Sequence, residues 1–345
     1  MTADAAGVQP ELRTGVAGVI HDIGYRSYGG QRLGRAYIVR SLTWHSLRTA
    51  YGFGRGAKAK VFPALLFVLM CLPAVVSIAA MALGPGTTRL VSYDSYQPTL
   101  RALVMLVFLA LQAPNLVSGD LRHHTLPLYF ARPIRRIDYP AAKLAGFTLA
   151  CLIIIEVPLL ILWVGTVAQV HGPSAVWAQT RALGPGLLYG AMWAVLLASI
   201  GLLLASVTGR RVLSICSVAV TLFVTWFLAS ALTHIGLQTF QPIAGARPPA
   251  LASLAGLISP FTVLTGVQAW FGSEPRVQIF RGGPGPAGGP GPGAGPGPAG
   301  GPGPGRLLEV NLVGHFGPVY GLMFVLLLAA AIAGLIARYR KVGIA

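Results

Sequence analysis

The chain has 345 residues, of which 54% are hydrophobic and only 10% charged, and its mean hydropathy is +0.68. A soluble domain carries about 25% charged residues, so this balance excludes ordinary soluble domains and points to a chain mostly solvated by lipid. The net charge of +17, from 26 Lys+Arg against 9 Asp+Glu, would suggest nucleic acid in a soluble protein; in a membrane protein such charge gathers in cytoplasmic loops beside anionic head groups, and no nucleic-acid partner is expected.

Residues 1–33 read as a poorly ordered cytoplasmic segment. The first sixty residues are too hydrophilic for a cleavable signal peptide, so the first apolar span is expected to act as an uncleaved anchor. Residues 34–60 carry an amphipathic interface helix, with Gly34–Phe53 as its helical part. Tyr37, Trp44 and Tyr51 recur every seven residues, with Arg40 and Arg48 on the same face and Ile38, Val39, Leu42 and Phe53 roughly opposite. Aromatic rings beside arginine suit the head-group layer. Two readings stand: a helix lying on the membrane, and one that also docks a cytoplasmic partner.

Residues 61–271 are expected to hold five transmembrane helices and a re-entrant segment. A bilayer core needs about twenty apolar residues as helix. Val61–Leu83, Leu100–Val117, Ala142–Val167, Leu183–Val207 and Val212–Leu232 meet that requirement. Ala250–Phe271 is intermediate, with Pro260 and Gln268 inside it. It reads as a re-entrant or interfacial pair of short helices, with a seventh full span as the alternative. Residues 272–313 form an outer loop, and residues 314–345 the last span, Gly314–Ala337, with a basic tail. The expected fold class is therefore all-α, a polytopic membrane protein with about six transmembrane helices.

Positive charge sets the expected orientation. With six spans, 19 Lys+Arg fall on one side and 7 on the other, Arg101 counted among the seven. Both termini are then cytoplasmic. Gly282–Gly305 contains only Gly, Pro and Ala; it has no apolar side chains to bury and reads as a disordered outer linker. Ala294 breaks its Gly triplet series, which a collagen helix does not tolerate.

No phosphate-binding GxxxxGK[ST], HExxH or GxSxG motif occurs, so neither ATP hydrolysis nor another catalysed reaction is expected of this chain, and no cofactor. Cys71, Cys151 and Cys216 lie in apolar stretches without CxxC spacing and read as small apolar residues. His123 and His124 are adjacent, so on a helix they point apart, and no metal site is expected. Glu156 is the acid inside a span, two residues before Pro158. A charge at that depth usually faces a protein interior or a water path. It is a candidate for the gate or translocation path, against the alternative of a protonated or paired structural group.

The loop between spans two and three reads SGDLRHHTLPLYFARPIRRIDYPAAKLAG, Ser118 to Gly146. It resembles the first intracellular loop of permease subunits of type 2 ATP-binding-cassette (ABC) exporters. The matching positions are Asp120, Thr125, Leu126, Leu128, Arg132, Pro133, Arg135, Arg136, Tyr139 and Lys143. His124 stands where that family commonly has Gly, and Pro127 and Tyr129 interrupt the leucine run. Ser259–Phe261 adds a weaker similarity, as does the order of amphipathic helix, six spans and membrane-dipping region.

The resemblance implies a dimer of permeases, with a second copy or close homologue, each bound to a separately encoded cytoplasmic ATPase subunit. The loop would seat in a groove of that ATPase. Arg132, Arg135 and Arg136 would meet acidic or polar groups, and Pro133 would fix the turn. The alternative for these arginines is ordinary positive-inside charge facing lipid phosphates. A secondary transporter or channel, a membrane-embedded enzyme and a non-transporting scaffold are the competing classes. Apolar spans suit a lipid-like or amphiphilic cargo, or a lipid-linked polymer, and the direction of transport is not readable. Richness in Gly, Pro, Ala and Arg looks like a GC-rich bacterial genome and favours a bacterial plasma membrane.

Overall fold

The computed structural model describes residues 33–83, 91–93, 96–122, 129, 134–208, 210–238, 249–271, 276–281, 306–311, 313 and 316–342. The Gly282–Gly305 tract, residues 1–32, His123, His124, Thr125, Leu126, Leu128, Arg132 and Pro133 lie outside the described residues.

Six helices are long and apolar enough to cross a membrane, the pattern of a multi-pass membrane protein. A short helix precedes them, α1 (Arg35–Ala50). They are α2 (Ala57–Leu83), α3 (Pro98–Arg122), α4 (Asp138–Val167), α5 (Pro173–Val207), α6 (Arg211–Gln238) and α9 (Gly317–Val342). Between α6 and α9 lie α7 (Ala250–Ala255), a 3-10 turn (Gly256–Ile258) and α8 (Pro260–Trp270). The helical expectation therefore holds, with one departure. Strands β1 (Arg276–Arg281) and β2 (Arg306–Asn311) pair antiparallel within the segment expected to be loop, with Arg281 opposite Arg306.

The helices run beyond the apolar stretches that predict them. α4 begins at Asp138, because its polar first turn is buried against the bundle rather than left in a loop. α5 begins ten residues before Leu183, with Pro173 in its first turn, where the missing N–H costs nothing.

The interior is built on α3, α4 and α5. The apolar stretch of α3 is 72% buried, against 28% for that of α2, 22% for α6 and 17% for α9. Leu65, Leu72 and Val76 of α2 are exposed, as are Phe223, Phe227 and Leu228 of α6 and Leu322, Val325 and Leu326 of α9. In lipid such faces need no protein cover, and helices associate instead through close packing and hydrogen bonds. Gly146 of α4 illustrates the close packing. A Cβ there would lie 2.5 Å from the carbonyl oxygen of Thr43 and 2.6 Å from Ser46 Cβ. That contact seats α1 directly on α4.

Hydrogen bonding repairs the proline in α2. Pro73 interrupts the helix, and a proline bend opens the ladder beside it. Tyr96, fully buried in the α2–α3 link, donates to the Met70 carbonyl at 2.7 Å and accepts from the Ala74 N–H at 3.1 Å. Met70 and Ala74 are the donor–acceptor pair of one helical turn, so a side chain distant from the bend bridges it.

The Ala250–Phe271 segment is two short helices joined by a 3-10 turn, not one continuous helix. With six and eleven residues, α7 and α8 are each too short to cross. Ser259 ends the first piece and caps the second, accepting from the Phe261 N–H at 3.3 Å, and Pro260 starts it. Tyr320 of α9 packs against Gly256 and Gly266 and donates to the Ser253 carbonyl at 2.5 Å.

Candidate functional sites

Two polar clusters stand out in an otherwise apolar bundle. The first is at the end of the bundle where α3 stops and α4 starts. Asp120 lies on the last turn of α3, and Tyr139 and Lys143, four apart, share a face at the start of α4. Tyr139 Oη donates to Asp120 Oδ2 at 2.5 Å. Lys143 Nζ lies 2.9 Å from the same oxygen and donates to the Leu116 carbonyl at 2.9 Å. The Tyr139 ring packs between Tyr129 and Tyr339, with centroids 5.3 and 5.2 Å away.

A second carboxylate extends this clasp. Asp138 is in the first turn of α4, where the helix dipole favours an anion. It takes both nitrogens of one Arg35 fork, Nε at 2.6 Å and Nη2 at 2.5 Å, and also the Arg135 N–H at 2.8 Å. Charge-assisted, two-pronged contacts of this kind hold position as well as energy. The segment between α3 and α4 is thus fastened at both ends, by Asp120 at one and Asp138 at the other. Arg135 and Arg136 are exposed beside the second fastening.

The sequence-derived loop residues divide accordingly. Asp120 and Lys143 face inward and are consumed by the clasp, and Lys143 is only 7% exposed. Arg135 and Arg136 face outward. Arg35, which closes the clasp from α1, carried no local signal because its partner is 103 residues away.

The α1 face is also partly redrawn. Tyr37, Arg40, Trp44 and Arg48 are exposed, with the Arg40 guanidinium 5.8 Å from the Tyr37 ring. Tyr51 does not join them. It lies one residue past the helix end and turns inward, its hydroxyl donating to the Ala150 carbonyl at 2.8 Å and its ring 6.1 Å from Phe108. The seven-residue spacing holds only while the helix continues. Phe53, expected opposite, is 52% exposed, and the buried stripe is Leu42, Ser46 and Ala50.

The second cluster lies within the bundle. Arg101, expected among the outer loop charges, is instead on α3 and only 1% exposed. Its guanidinium carbon sits 4.3 Å over the Trp193 ring, and Nη2 donates to Gln268 Oε1 at 3.3 Å. Glu156 of α4 is near enough for its charge to act on Arg101. Both Glu156 oxygens and Arg101 Nε are nevertheless buried without a hydrogen-bond partner among the described residues. Gly190 of α5 makes room for the carboxylate, since a Cβ there would lie 2.2 Å from Glu156 Oε1. Beside this cluster, Trp193, Trp226, Phe261 and three threonines, Thr99, Thr262 and Thr265, line a cavity of about 90 Å³.

Arg101 follows Leu100 inside the expected span and Gln268 sits in the expected re-entrant segment, so the individual polar residues were visible. Their meeting, across 167 residues, was not. No family model and no curated protein matches this sequence.

Proposed function

We propose that the chain is the permease subunit of a type 2 ABC exporter, forming the membrane path while a separate cytoplasmic subunit hydrolyses ATP. The observation that carries this reading is the α3–α4 segment. Its sequence has the Asp120, Arg132-Pro133, Arg135, Arg136 and Lys143 pattern, and both its ends are fastened to the bundle while two of its arginines stay exposed. A coupling element needs that combination. A push from a partner on Arg135 and Arg136 would pass to α4 through the adjoining Asp138 fastening. Such a push changes access only if the helices have two arrangements to choose between.

On this reading the chain is not itself an enzyme and works as a dimer in a bacterial plasma membrane, with both termini in the cytoplasm. The α1 face of Tyr37, Arg40, Trp44 and Arg48 lies in the head-group layer. The α7–α8 pair is the re-entrant element between the last two spans, backed by Tyr320. The exposed apolar faces of α2, α6 and α9 suit contact with lipid, a second permease copy and an amphiphilic cargo.

A secondary transporter or channel is the competing reading, and the buried Arg101 and Glu156 favour it, since intramembrane charges often line such paths. The two readings separate in a mild-detergent pull-down of the tagged chain from its native host, followed by mass spectrometry and an ATPase assay. A stoichiometric cytoplasmic ATPase that dissociates from the Arg132→Glu/Arg135→Glu variant is the expected result. A clean preparation with no ATPase would overturn the permease reading.

A further inference from the structure

A cleft of about 340 Å³ opens at the end of the bundle where α3 stops, between the start of α2, the last turns of α3 and the first residue of α6. Arg55, Arg122 and Arg211 line it, together with Asn115, Ser118 and Gly119. Among the described residues no acidic side chain lines the cleft. Asp120, the nearest acid in the chain to Gly119, is taken by Tyr139 and Lys143. The next acid after it is Asp138, which is taken by Arg35.

Three further features concentrate positive potential there. The first turns of α2 and α6 both reach this cleft, through Ala59 and Arg211, and neither first turn contains an acid. Helix N-termini carry unpaired N–H groups and a partial positive charge, so Arg211 sits at the end of its helix where a cation is least welcome. Arg55 makes only a long contact, 3.5 Å, to the Asn115 carbonyl, and burial and then the charge of Arg211 hold its guanidinium below its ordinary value. Gly119 lines the cleft, and a Cβ there would meet nothing within 4 Å among the described residues beyond its own helix. Nothing in the local packing calls for a glycine at that position.

We propose that this cleft binds a phosphate group, held by the forks of Arg55, Arg122 and Arg211 over the two helix N-termini. Guanidinium forks match phosphate oxygens in two-pronged fashion, and helix N-termini are ready-made anion sites. The ligand is either the phosphodiester of an anionic lipid head group or a soluble phosphate, and the chemistry of recognition is the same. The site is independent of the transporter reading and of the α3–α4 loop residues that face a partner.

The test uses the full chain in nanodiscs of phosphatidylcholine alone, of phosphatidylcholine with phosphatidylglycerol, and of phosphatidylcholine with added inorganic phosphate. Thermal midpoints and retained lipid by native mass spectrometry are read in each. A raised midpoint with phosphatidylglycerol retained assigns the site to lipid, and a raised midpoint with inorganic phosphate alone assigns it to a soluble phosphate. Either supports the proposal if the phosphate or phosphatidylglycerol concentration that gives half the response rises about fivefold for each of Arg55→Gln, Arg122→Gln and Arg211→Gln, the ~1 kcal/mol that one basic residue contributes toward an anionic surface. Gly119→Leu adds bulk to the cleft lining while keeping every charge and should weaken the response, and its midpoint in phosphatidylcholine alone reports whether it is folded. No response to either phosphate source overturns the proposal. So does a wild-type response from folded Gly119→Leu, or from all three arginine variants, which would reduce the effect to general surface charge.

Discussion

At the α3–α4 junction, Asp120 receives a hydroxyl and an ammonium, Asp138 receives a guanidinium fork and a backbone N–H, and Lys143 also finds a carbonyl. Deeper in the bundle, Arg101 is anchored by Gln268 and the Trp193 ring, yet its Nε and both oxygens of Glu156 are buried with no hydrogen-bond partner among the described residues. Both regions bury charge in an apolar protein, and they do so differently. A saturated network recovers its desolvation cost and fixes one geometry. An unsaturated one keeps bonding capacity for something that comes and goes, such as a water, a proton or a polar part of a cargo. The difference separates a hinge-like fastening from a candidate path.

The largest expected effect tests the saturated side. Lys143→Met takes the buried ammonium away from Asp120, whose side chain is 23% exposed, and should cost about 2 kcal/mol, less than the roughly 3–5 kcal/mol of a fully buried pair broken from one side. Thermal unfolding in detergent measures it. Adding Asp120→Asn should return part of the loss, because the stranded charge is removed as well. A single variant as stable as wild type would show that the clasp is not a buried pair in the physical sense.

A smaller loss is expected at the proline bend of α2. Tyr96→Phe deprives the Met70 carbonyl and the Ala74 N–H of their shared hydroxyl and should cost about 1–2 kcal/mol, the desolvation penalty of a stranded polar group. If the loss is negligible, the ladder has reclosed across the bend and Tyr96 only fills space.

The unsaturated side should respond in the opposite sense. Glu156→Gln removes an ionisable carboxyl but no hydrogen bond among the described residues, so its stability should change by less than about 1 kcal/mol, within the range of an ordinary substitution. On the proposed transport reading, transport in reconstituted vesicles should fall, because intramembrane carboxyl groups commonly line such paths. A loss of stability matching that of Lys143→Met would erase the distinction between the clusters. Unchanged stability with unchanged transport would leave Glu156 as a tolerated structural acid.

What was readable in the sequence follows from the range over which each force acts. Long apolar runs announce their own helices, since the membrane requirement is local to about twenty residues, and all six were visible that way. Pro260 and the serine before it likewise announced the break at α8. The start of α4 was misjudged because hydropathy treats Asp138 and Tyr139 as loop residues, whereas pairing with Arg35 and with Asp120 allows them to be buried. Arg101 was taken for an outer charge for the same reason. Tyr51 was assigned to an exposed face because helical spacing was carried one residue beyond the helix. In each case the missing information was a partner distant in sequence, and a single chain read residue by residue does not supply it.

The smallest effect is expected where no polar pairing or core packing is at stake. Because Arg281 stands opposite Arg306 at the ends of β1 and β2, residues 282–305 can be replaced by Asn-Gly, a two-residue connection that suits the twist of paired strands. Shortening that connection lowers its closure entropy, a gain that grows only slowly with the length removed and is confined to the ribbon. On the linker reading of this tract and the proposed permease reading, the thermal midpoint and ATPase association should match those of the full chain. Loss of assembly would mean that the Gly/Pro tract binds something, and the comparison of the two clusters would then need a third member.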